Sequence, residues 1–403
     1  MKTLLTPLAV ALALSLSLSN PAQAQFGLFK SAYKKGEEAY EKGDYENALK
    51  HWTKAAGKGD AQGQYRLGRL YDRGEGTDEN PAEALIWYAK AAEQGITEAQ
   101  TNLGVLYDTG RGTDEDNPLA AKWYREAAAQ GNTVAQYNLA VMLDQGDGVP
   151  VNKAQAAALY RQAADQGIGL ALLPMAKALD QLGRHKEAYA AFQQAAMNGS
   201  AEAEYYLGAM LQRGLGVEAD VEAAVAKYQA SADGGYPVAQ HQLGLLTLQG
   251  QIGIEANTEV ALELIEKAAN QGDSQALIDL GLIYDAGEYV EQDRTLALAY
   301  FEAAAKLGNP LAMNAVGERL LMGVGVEADP ANAVEFFSAA AQLRNPKAIY
   351  NLGQMHEAGM GFEKNLEEAA KLYRAAIELG FTDVQPALQR VCEGQTFAAC
   401  FRR

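Results

Sequence analysis

Apolar side chains recur in this chain at helical intervals, in segments that return about every 36 residues. In one clear copy, Ala99, Leu103, Leu106 and Tyr107 share one face of a 3.6-residue helix, and polar residues occupy the other face. A period between about 20 and 50 residues is typical of stacked supersecondary units, each burying its apolar face against its neighbours. The pattern therefore predicts an all-α fold built from stacked repeats.

An alanine opens the first helix of each copy, which we call helix A. The opening alanines are Ala61, Ala99, Ala135, Ala171, Ala203, Ala239, Ala276, Ala312 and Ala348. A glycine follows the leucine of helix A in most copies, as Gly104 does, although glycine costs about 1 kcal/mol of helix propensity relative to alanine. We expect these glycines to permit a close approach between helices.

Helix A ends at two glycines separated by one residue, such as Gly110 and Gly112, which predicts a left-handed C-cap and a chain reversal. Nucleotide-binding loops also use spaced glycines, but the strand before and the Lys-Ser/Thr after such a loop are missing here. An Asn or Asp then precedes a second helical segment, helix B, as its predicted N-cap. These predicted caps are Asn80, Asn117, Asn152, Asp220, Asn257, Asp293, Asp329 and Asn365. Nearby acidic residues favour helix capping over calcium binding.

The copy that begins at Ala99 reads Ala-Gln-x-Asn-Leu-Gly-x-x-Tyr-x-x-Gly-x-Gly, followed by Ala-x-x-Trp-Tyr-x-x-Ala-Ala-x-Gln-Gly. This string resembles the Sel1-like repeat, a relative of the tetratricopeptide repeat. The resemblance covers residues 61–380 and implies a right-handed α-solenoid of about ten stacked helix pairs that acts as an adaptor or scaffold for other proteins. Some members carry a disulfide in every repeat; these repeats contain no cysteine, so nothing is carried over from that subgroup.

Before the repeats, a lysine at position 2, an apolar stretch over 4–18 and a small-x-small motif over 22–24 predict a cleaved signal peptide at residues 1–24. An uncleaved anchor is the alternative, but about 15 apolar residues are short for a membrane span. The repeats at Ala32 and Ala171 have shorter turns and look more like plain tetratricopeptide repeats. We therefore expect an N-terminal capping unit over 25–60, the repeat array over 61–380 and a C-terminal cap over 381–403.

The cysteine content and the net charge indicate the cellular compartment and the kind of partner. The two cysteines, Cys392 and Cys400, favour a structural disulfide in an exported, periplasmic or secreted protein, because a redox pair lacks its Cys-x-x-Cys spacing. The net charge of −17 disfavours nucleic acid and anionic lipid, which need Lys and Arg to neutralise phosphate, and favours a cationic partner. The sequence contains no second long apolar run, so we predict no membrane insertion after signal cleavage.

The sequence contains only weak motifs for catalysis or metal binding. Ser31-Ala-Tyr-Lys34 fits the Ser-x-x-Lys motif of β-lactam-binding enzymes, but no Lys-Thr-Gly follows. The four histidines lie far apart along the chain, and none has a zinc-ligand spacing. We therefore predict no enzyme, no cofactor and no metal, and we regard a β-lactam or cell-wall hydrolase as the least favoured function.

Likeness to tetratricopeptide arrays implies that ligands contact helix A on the concave side, two residues before and five residues after the leucine of its Leu-Gly pair. The candidate partner-binding residues are Tyr65, Asp72, Asp108, Tyr137, Asp144, Tyr205, His241, Asp285, Tyr350 and Glu357. The acidic positions would attract a basic protein, and the aromatic ones would anchor a peptide. Two alternatives stay open: the tyrosines pack between repeats, and the carboxylates form a solvated face.

Together these features predict a non-catalytic scaffold or adaptor for other proteins or peptides in the cell envelope. The alternative is a periplasmic regulator that restrains a membrane sensor or an envelope assembly. The sequence names neither the partner nor the pathway.

Overall fold

The computed structural model describes residues 32–401, which form helices and connecting turns without a strand. The predicted signal peptide and Ser31 lie outside the described residues. The helices are α1 (residues 32–41), α2 (Tyr45–Ala56), α3 (Ala61–Arg73), α4 (Pro81–Glu93), α5 (Thr97–Thr109), α6 (Asn117–Ala129), α7 (Thr133–Gln145), α8 (Lys153–Asp165), α9 (Leu172–Gln181), α10 (His185–Met197), α11 (Ala201–Arg213), α12 (Val221–Asp233), α13 (Pro237–Gln249), α14 (Thr258–Asn270), α15 (Ser274–Ala286), α16 (Arg294–Lys306), α17 (Pro310–Met322), α18 (Pro330–Gln342), α19 (Pro346–Ala358), α20 (Leu366–Glu378), α21 (Gln385–Cys392) and α22 (Ala398–Phe401).

Helices α1–α20 alternate as ten helix A and helix B pairs in chain order, which confirms the predicted all-α repeat solenoid. The chain divides into two compact halves after Ala188, within α10. In the N-terminal half, each helix from α2 to α8 packs against the next one along the chain. The same holds for α11–α21 in the C-terminal half.

The turns between helices A and B follow from glycine and from side-chain caps. Gly110 adopts the left-handed conformation and its N–H donates to the Leu106 carbonyl, which ends α5. Gly112 has φ of 79°, and a Cβ there would lie 2.5 Å from the Pro81 carbonyl carbon of the preceding helix B, so the position requires glycine. One predicted cap was wrong by one residue. Asp116, not Asn117, caps α6 by accepting from the Leu119 N–H at 2.9 Å.

The alignment of the first full repeat also needs a correction. All the other opening alanines are fully buried, whereas Ala61 is partly exposed. Gly63 takes the buried position instead, and a Cβ there would lie only 2.7 Å from the Ala55 Cβ. The repeat from Gly63 to Ala99 therefore keeps the 36-residue spacing that Ala61 broke.

Buried glutamines on helix A join it to the helix B that precedes it and to the helix B that follows it. The Gln100 amide donates to the Ala92 carbonyl at 3.1 Å, and its side-chain oxygen accepts from the Gln130 amide at 2.7 Å. The same pairing recurs in three other repeats, as Gln64 with Gln94, Gln136 with Gln166 and Gln240 with Gln271. The Ala92 carbonyl also accepts from the Gly95 N–H at 2.9 Å, so the glutamine amide adds a second hydrogen bond at the repeat boundary.

The C-terminal cap closes the last helix pair. Val384, Leu388 and Val391 are buried in one cluster with Tyr373 of α20. A disulfide joins Cys392 to Cys400, and the Arg374 guanidinium donates to the Ala399 carbonyl at 2.8 and 3.0 Å. The apolar end of the array is thereby covered. Among the described helices, none has the length and apolar character needed to cross a membrane.

Candidate interaction surface

The residue five positions after the helix A leucine bonds to a tyrosine of helix B in the same repeat. The Tyr124 hydroxyl donates to the Asp108 carboxylate at 3.2 Å, and its ring lies against Gly104, where a Cβ would approach to 2.6 Å. The equivalent hydrogen bonds are Tyr88 to Asp72 at 3.2 Å, Tyr228 to Gln212 at 2.8 Å and Tyr373 to Glu357 at 2.6 Å. Asp72, Asp108 and Glu357 therefore help to hold their own helix pairs together.

The polarity of this position follows the helix B residue that it faces. Helix B carries Ile265 in the repeat where helix A has Leu248, and Phe337 in the repeat where helix A has Leu321. Ile265 and Phe337 are buried against Gly244 and Gly317, the same contact that tyrosine makes elsewhere. A carboxylate is thus present mainly where a hydroxyl is available to it, because a buried polar group without a partner is costly.

Four of the predicted acidic residues also contact a cation of this chain. Arg111 lies 2.9 Å from Asp72, Lys153 lies 2.8 Å from Asp144, Arg319 lies 2.8 Å from Asp285, and Arg390 lies 2.7 Å from Glu357. Asp285 faces Phe301 rather than a tyrosine, and the buried Arg319 supplies its partner instead. The structure thus brings the acidic positions into ion pairs, which sequence reasoning missed because the cations lie in other turns and helices.

Asp108 differs from these four. Within residues 32–401 it has no ion pair, and its hydrogen-bond donor is the neutral Tyr124 hydroxyl. Burial, with smaller effects from the negative charges of Asp147 and Glu115, raises the pKa of the Asp108 carboxyl above its usual value, although the Tyr124 hydrogen bond opposes the shift. A positive charge brought to this carboxylate would relieve an unfavourable ionisation.

The predicted aromatic positions lie half-buried against the helix B tyrosines. The ring centroids of Tyr65 and Tyr88 are 6.0 Å apart, and those of Tyr137 and Tyr160 are 5.8 Å apart. Tyr205 with Tyr228, and Tyr350 with Tyr373, are each 5.6 Å apart. These contacts show packing within each repeat, while part of each ring stays accessible.

His241 lies below the surface, 8% exposed, and its Nε2 is 2.7 Å from the Asp279 carboxylate. Two other residues that the sequence argument passed over reach this face. Asn102 and Asn138, each just before a helix A leucine, lie close enough to Tyr88 and Tyr124 of the preceding repeat to oppose the rise in the pKa of those tyrosines. Their recurrence before the leucine was the available signal.

The buried tyrosines hold their protons strongly. Burial, with the nearby Tyr205, raises the pKa of Tyr228 to about 12. Burial and the adjacent carboxylates raise the pKa values of Tyr88, Tyr124 and Tyr373 well above the usual tyrosine value. Across residues 32–401, no group of three or more His, Cys, Asp or Glu side chains is arranged to hold a metal ion.

The family model of the Sel1 repeat matches this chain nine times. The matched segments are residues 22–60, 61–96, 97–132, 133–168, 201–236, 237–273, 274–309, 310–345 and 346–381. The chain belongs to the Sel1 repeat family. The unmatched interval, 169–200, holds the short repeat of α9 and α10, whose turn is only Leu182–Arg184.

Solved Sel1 repeat structures support the same fold. A Sel1 repeat protein from Oxalobacter formigenes is 30% identical over 76% of this chain and 90% of its own, with a TM-score of 0.62. A protective antigen present in uropathogenic Escherichia coli strains, which displays an SLR fold, is 27% identical over 94% of this chain and 90% of its own, with a TM-score of 0.52. None of the curated proteins matches this Sel1 repeat chain significantly.

Proposed function

We propose that this protein is a non-catalytic scaffold or adaptor of the cell envelope that binds a basic segment of another protein along helix A of its N-terminal repeats. Sel1 repeat proteins typically mediate protein–protein interactions, and repeat solenoids of this family are generally non-catalytic. The envelope location is supported by the predicted signal peptide and by the Cys392–Cys400 disulfide, since disulfides persist in oxidising compartments.

The proposal is supported above all by Asp108, a partly buried carboxylate without an ion pair among the described residues. Its pKa is raised mainly by burial and also by Asp147 and Glu115, and its ion-pairing position is unfilled in the described chain. Asp72 and Asp144, at the equivalent positions of the neighbouring repeats, already have Arg111 and Lys153. A lysine or arginine of a partner would meet an uncompensated carboxylate at Asp108, and half-buried Tyr137 offers apolar contact in the next repeat.

The test compares three matched variants, Asp72→Asn, Asp108→Asn and Asp144→Asn. Each amide keeps the size of the side chain and removes one charge. Proteins captured from an envelope extract are identified and purified, and their affinity is then measured for each variant at two salt concentrations. Asp108→Asn should weaken binding by roughly tenfold and reduce its salt dependence, while the two paired positions should change binding by less than about threefold.

Equal affinities across the three variants would contradict the proposal. So would a partner whose binding does not change between low and high salt, because exposed charge pairs are screened by salt.

A further inference from the structure

A second feature lies on the helix B side of the C-terminal half. A cleft of about 520 Å³ runs between α12 and α14. Buried Leu243 and Thr247 of α13 line it, together with Val225 of α12 and Leu264 of α14. Ile254, in the turn before α14, lines one end. The cleft is therefore bounded by three helices and a turn, apart from the helix A positions considered above.

The cleft lies where three other repeats carry a pair of aromatic rings. In three other repeats, helix A carries an aromatic ring four residues after its leucine. Helix B of the same repeat carries a second ring, one residue before the side chain that packs on the helix A glycine. These pairs are Tyr71 with Trp87, Tyr107 with Trp123 and Tyr284 with Tyr300. The rings of Tyr284 and Tyr300 stack with centroids 5.8 Å apart. Here the two positions are Thr247 and Leu264, both smaller than an aromatic ring, and both line the cleft.

The turn beside the cleft is also longer. Asn257 caps α14 seven positions after Gly250, whereas Asn80 caps α4 six positions after Gly74. Ile254 of this turn packs beside Leu243 and Leu264 in one apolar cluster. The extra residue therefore extends the apolar lining of the cleft.

The rim of the cleft is negatively charged. Asp233, Glu255, Glu263 and Lys267 line it, and all four are exposed. The Lys267 ammonium lies 2.7 Å from the Glu263 carboxylate, so this pair is locally neutral. Asp233 accepts from the neutral Gln229 amide at 2.9 Å, and Glu255 adds a second negative charge. The rim thus favours a cation, while the interior favours a flat apolar group.

We propose that this cleft binds a tryptophan, tyrosine or phenylalanine side chain of a partner protein, flanked in that partner by lysine or arginine. The guest ring occupies the volume that the aromatic pair fills in other repeats, and the flanking cation lies near Asp233 and Glu255. A buried aromatic anchor within a charged rim is a common arrangement at binding hot spots. This inference rests on the proposed function only in assuming that the protein binds other proteins. The cleft is a different surface from the helix A positions around Asp108.

The test uses the peptide acetyl-Gly-Arg-Trp-Arg-Gly-amide and the full chain with methyl-labelled Ile, Leu and Val. We expect saturable shifts of the Ile254, Val260 and Leu264 methyl signals. Two control peptides, with Ala for Trp and with Glu for both Arg residues, should each bind at least about tenfold more weakly. Equal binding of either control peptide would overturn the proposed partner chemistry.

Two variants locate the site. Thr247→Tyr with Leu264→Trp restores the aromatic pair and should abolish binding, while Leu159→Trp, on α8 of the N-terminal half, should leave it unchanged. Asp233→Lys with Glu255→Lys changes only exposed rim residues and should weaken binding by about tenfold or more without altering the fold. Unchanged peptide affinity in either cleft variant, or shifts confined to other methyl groups, would overturn the inference.

Different results would refute the cleft proposal and the proposed function. Asp108→Asn should leave the binding of this peptide unchanged, because Asp108 lies in the other half of the chain. If the wild-type chain did not bind the peptide but still captured a partner through Asp108, the cleft proposal would be refuted. The proposed function would be unaffected.

Discussion

Replacing Gly104 by alanine tests the contact on which the repeat is built. A Cβ at position 104 would lie 2.6 and 2.7 Å from two ring carbons of Tyr124. Tyr124 is fully buried, so its ring has no open space to enter. Any shift of the ring also moves its hydroxyl away from the Asp108 carboxylate. The substitution therefore combines overpacking with a weakened hydrogen bond.

The expected magnitude comes from three opposing effects. Overpacking a dense core costs about 1–3 kcal/mol, and weakening a hydrogen bond to a partly buried carboxylate costs about 1 kcal/mol. Alanine gains about 1 kcal/mol of helix propensity over glycine. The net destabilisation is about 1–3 kcal/mol. The chain offers a comparison: Ala140 holds the equivalent position in the next repeat, and there Asp144 pairs with Lys153 without a hydrogen bond from Tyr160.

Hydrogen exchange is the suitable assay, because a long repeat array need not unfold in one step. Amides of α5 and α6 should exchange roughly 5- to 150-fold faster in Gly104→Ala, whereas those of α15 and α16 should not change. Thr109→Ala, an exposed change at the end of the same helix, is the control. Exchange in α5 and α6 that is unchanged or slower would refute the close-contact argument and show that helix propensity decides the outcome.

Three further outcomes are expected. Stability should fall as the pH rises from 10 toward about 12, because folded Tyr228 keeps its proton to a higher pH than the unfolded chain; Tyr228→Phe should flatten this slope in urea midpoints. Cys392→Ser with Cys400→Ser should cost roughly 2–3 kcal/mol and speed exchange only in α20–α22; a uniform change along the chain would contradict local capping. Arg319→Met should cost about 1–3 kcal/mol by leaving Asp285 without its cation, and adding Asp285→Leu should recover most of that loss; purely additive effects would contradict the coupling.

The sequence predicted the helix pairs because their signals are local. A left-handed glycine after Thr109 ends α5, and an Asn or Asp side chain that accepts from a backbone N–H three residues later begins every helix B except α10. Such caps act within one turn of backbone, so they can be recognised in a single repeat. The errors were small shifts of register, at Ala61 and at Asn117, where more than one residue fits the local pattern.

The candidate site was less predictable. The sequence pointed to the helix A carboxylates, but it did not show that Arg111 reaches Asp72 or that Arg390 reaches Glu357. These partners lie 39 and 33 residues apart, so their pairing depends on how successive repeats stack. Asp108 stands out only after the other pairs are known.

Sequence by itself thus determined the repeat, its period and the helices within it, since hydrophobic spacing and capping are properties of short segments. Tertiary structure decided which charges remain uncompensated and where the packing is incomplete. A missing cation beside Asp108 and a missing ring pair beside Leu264 are differences between neighbouring repeats. They appear only when those repeats are packed together, because charge compensation and close packing depend on atoms that are distant along the chain.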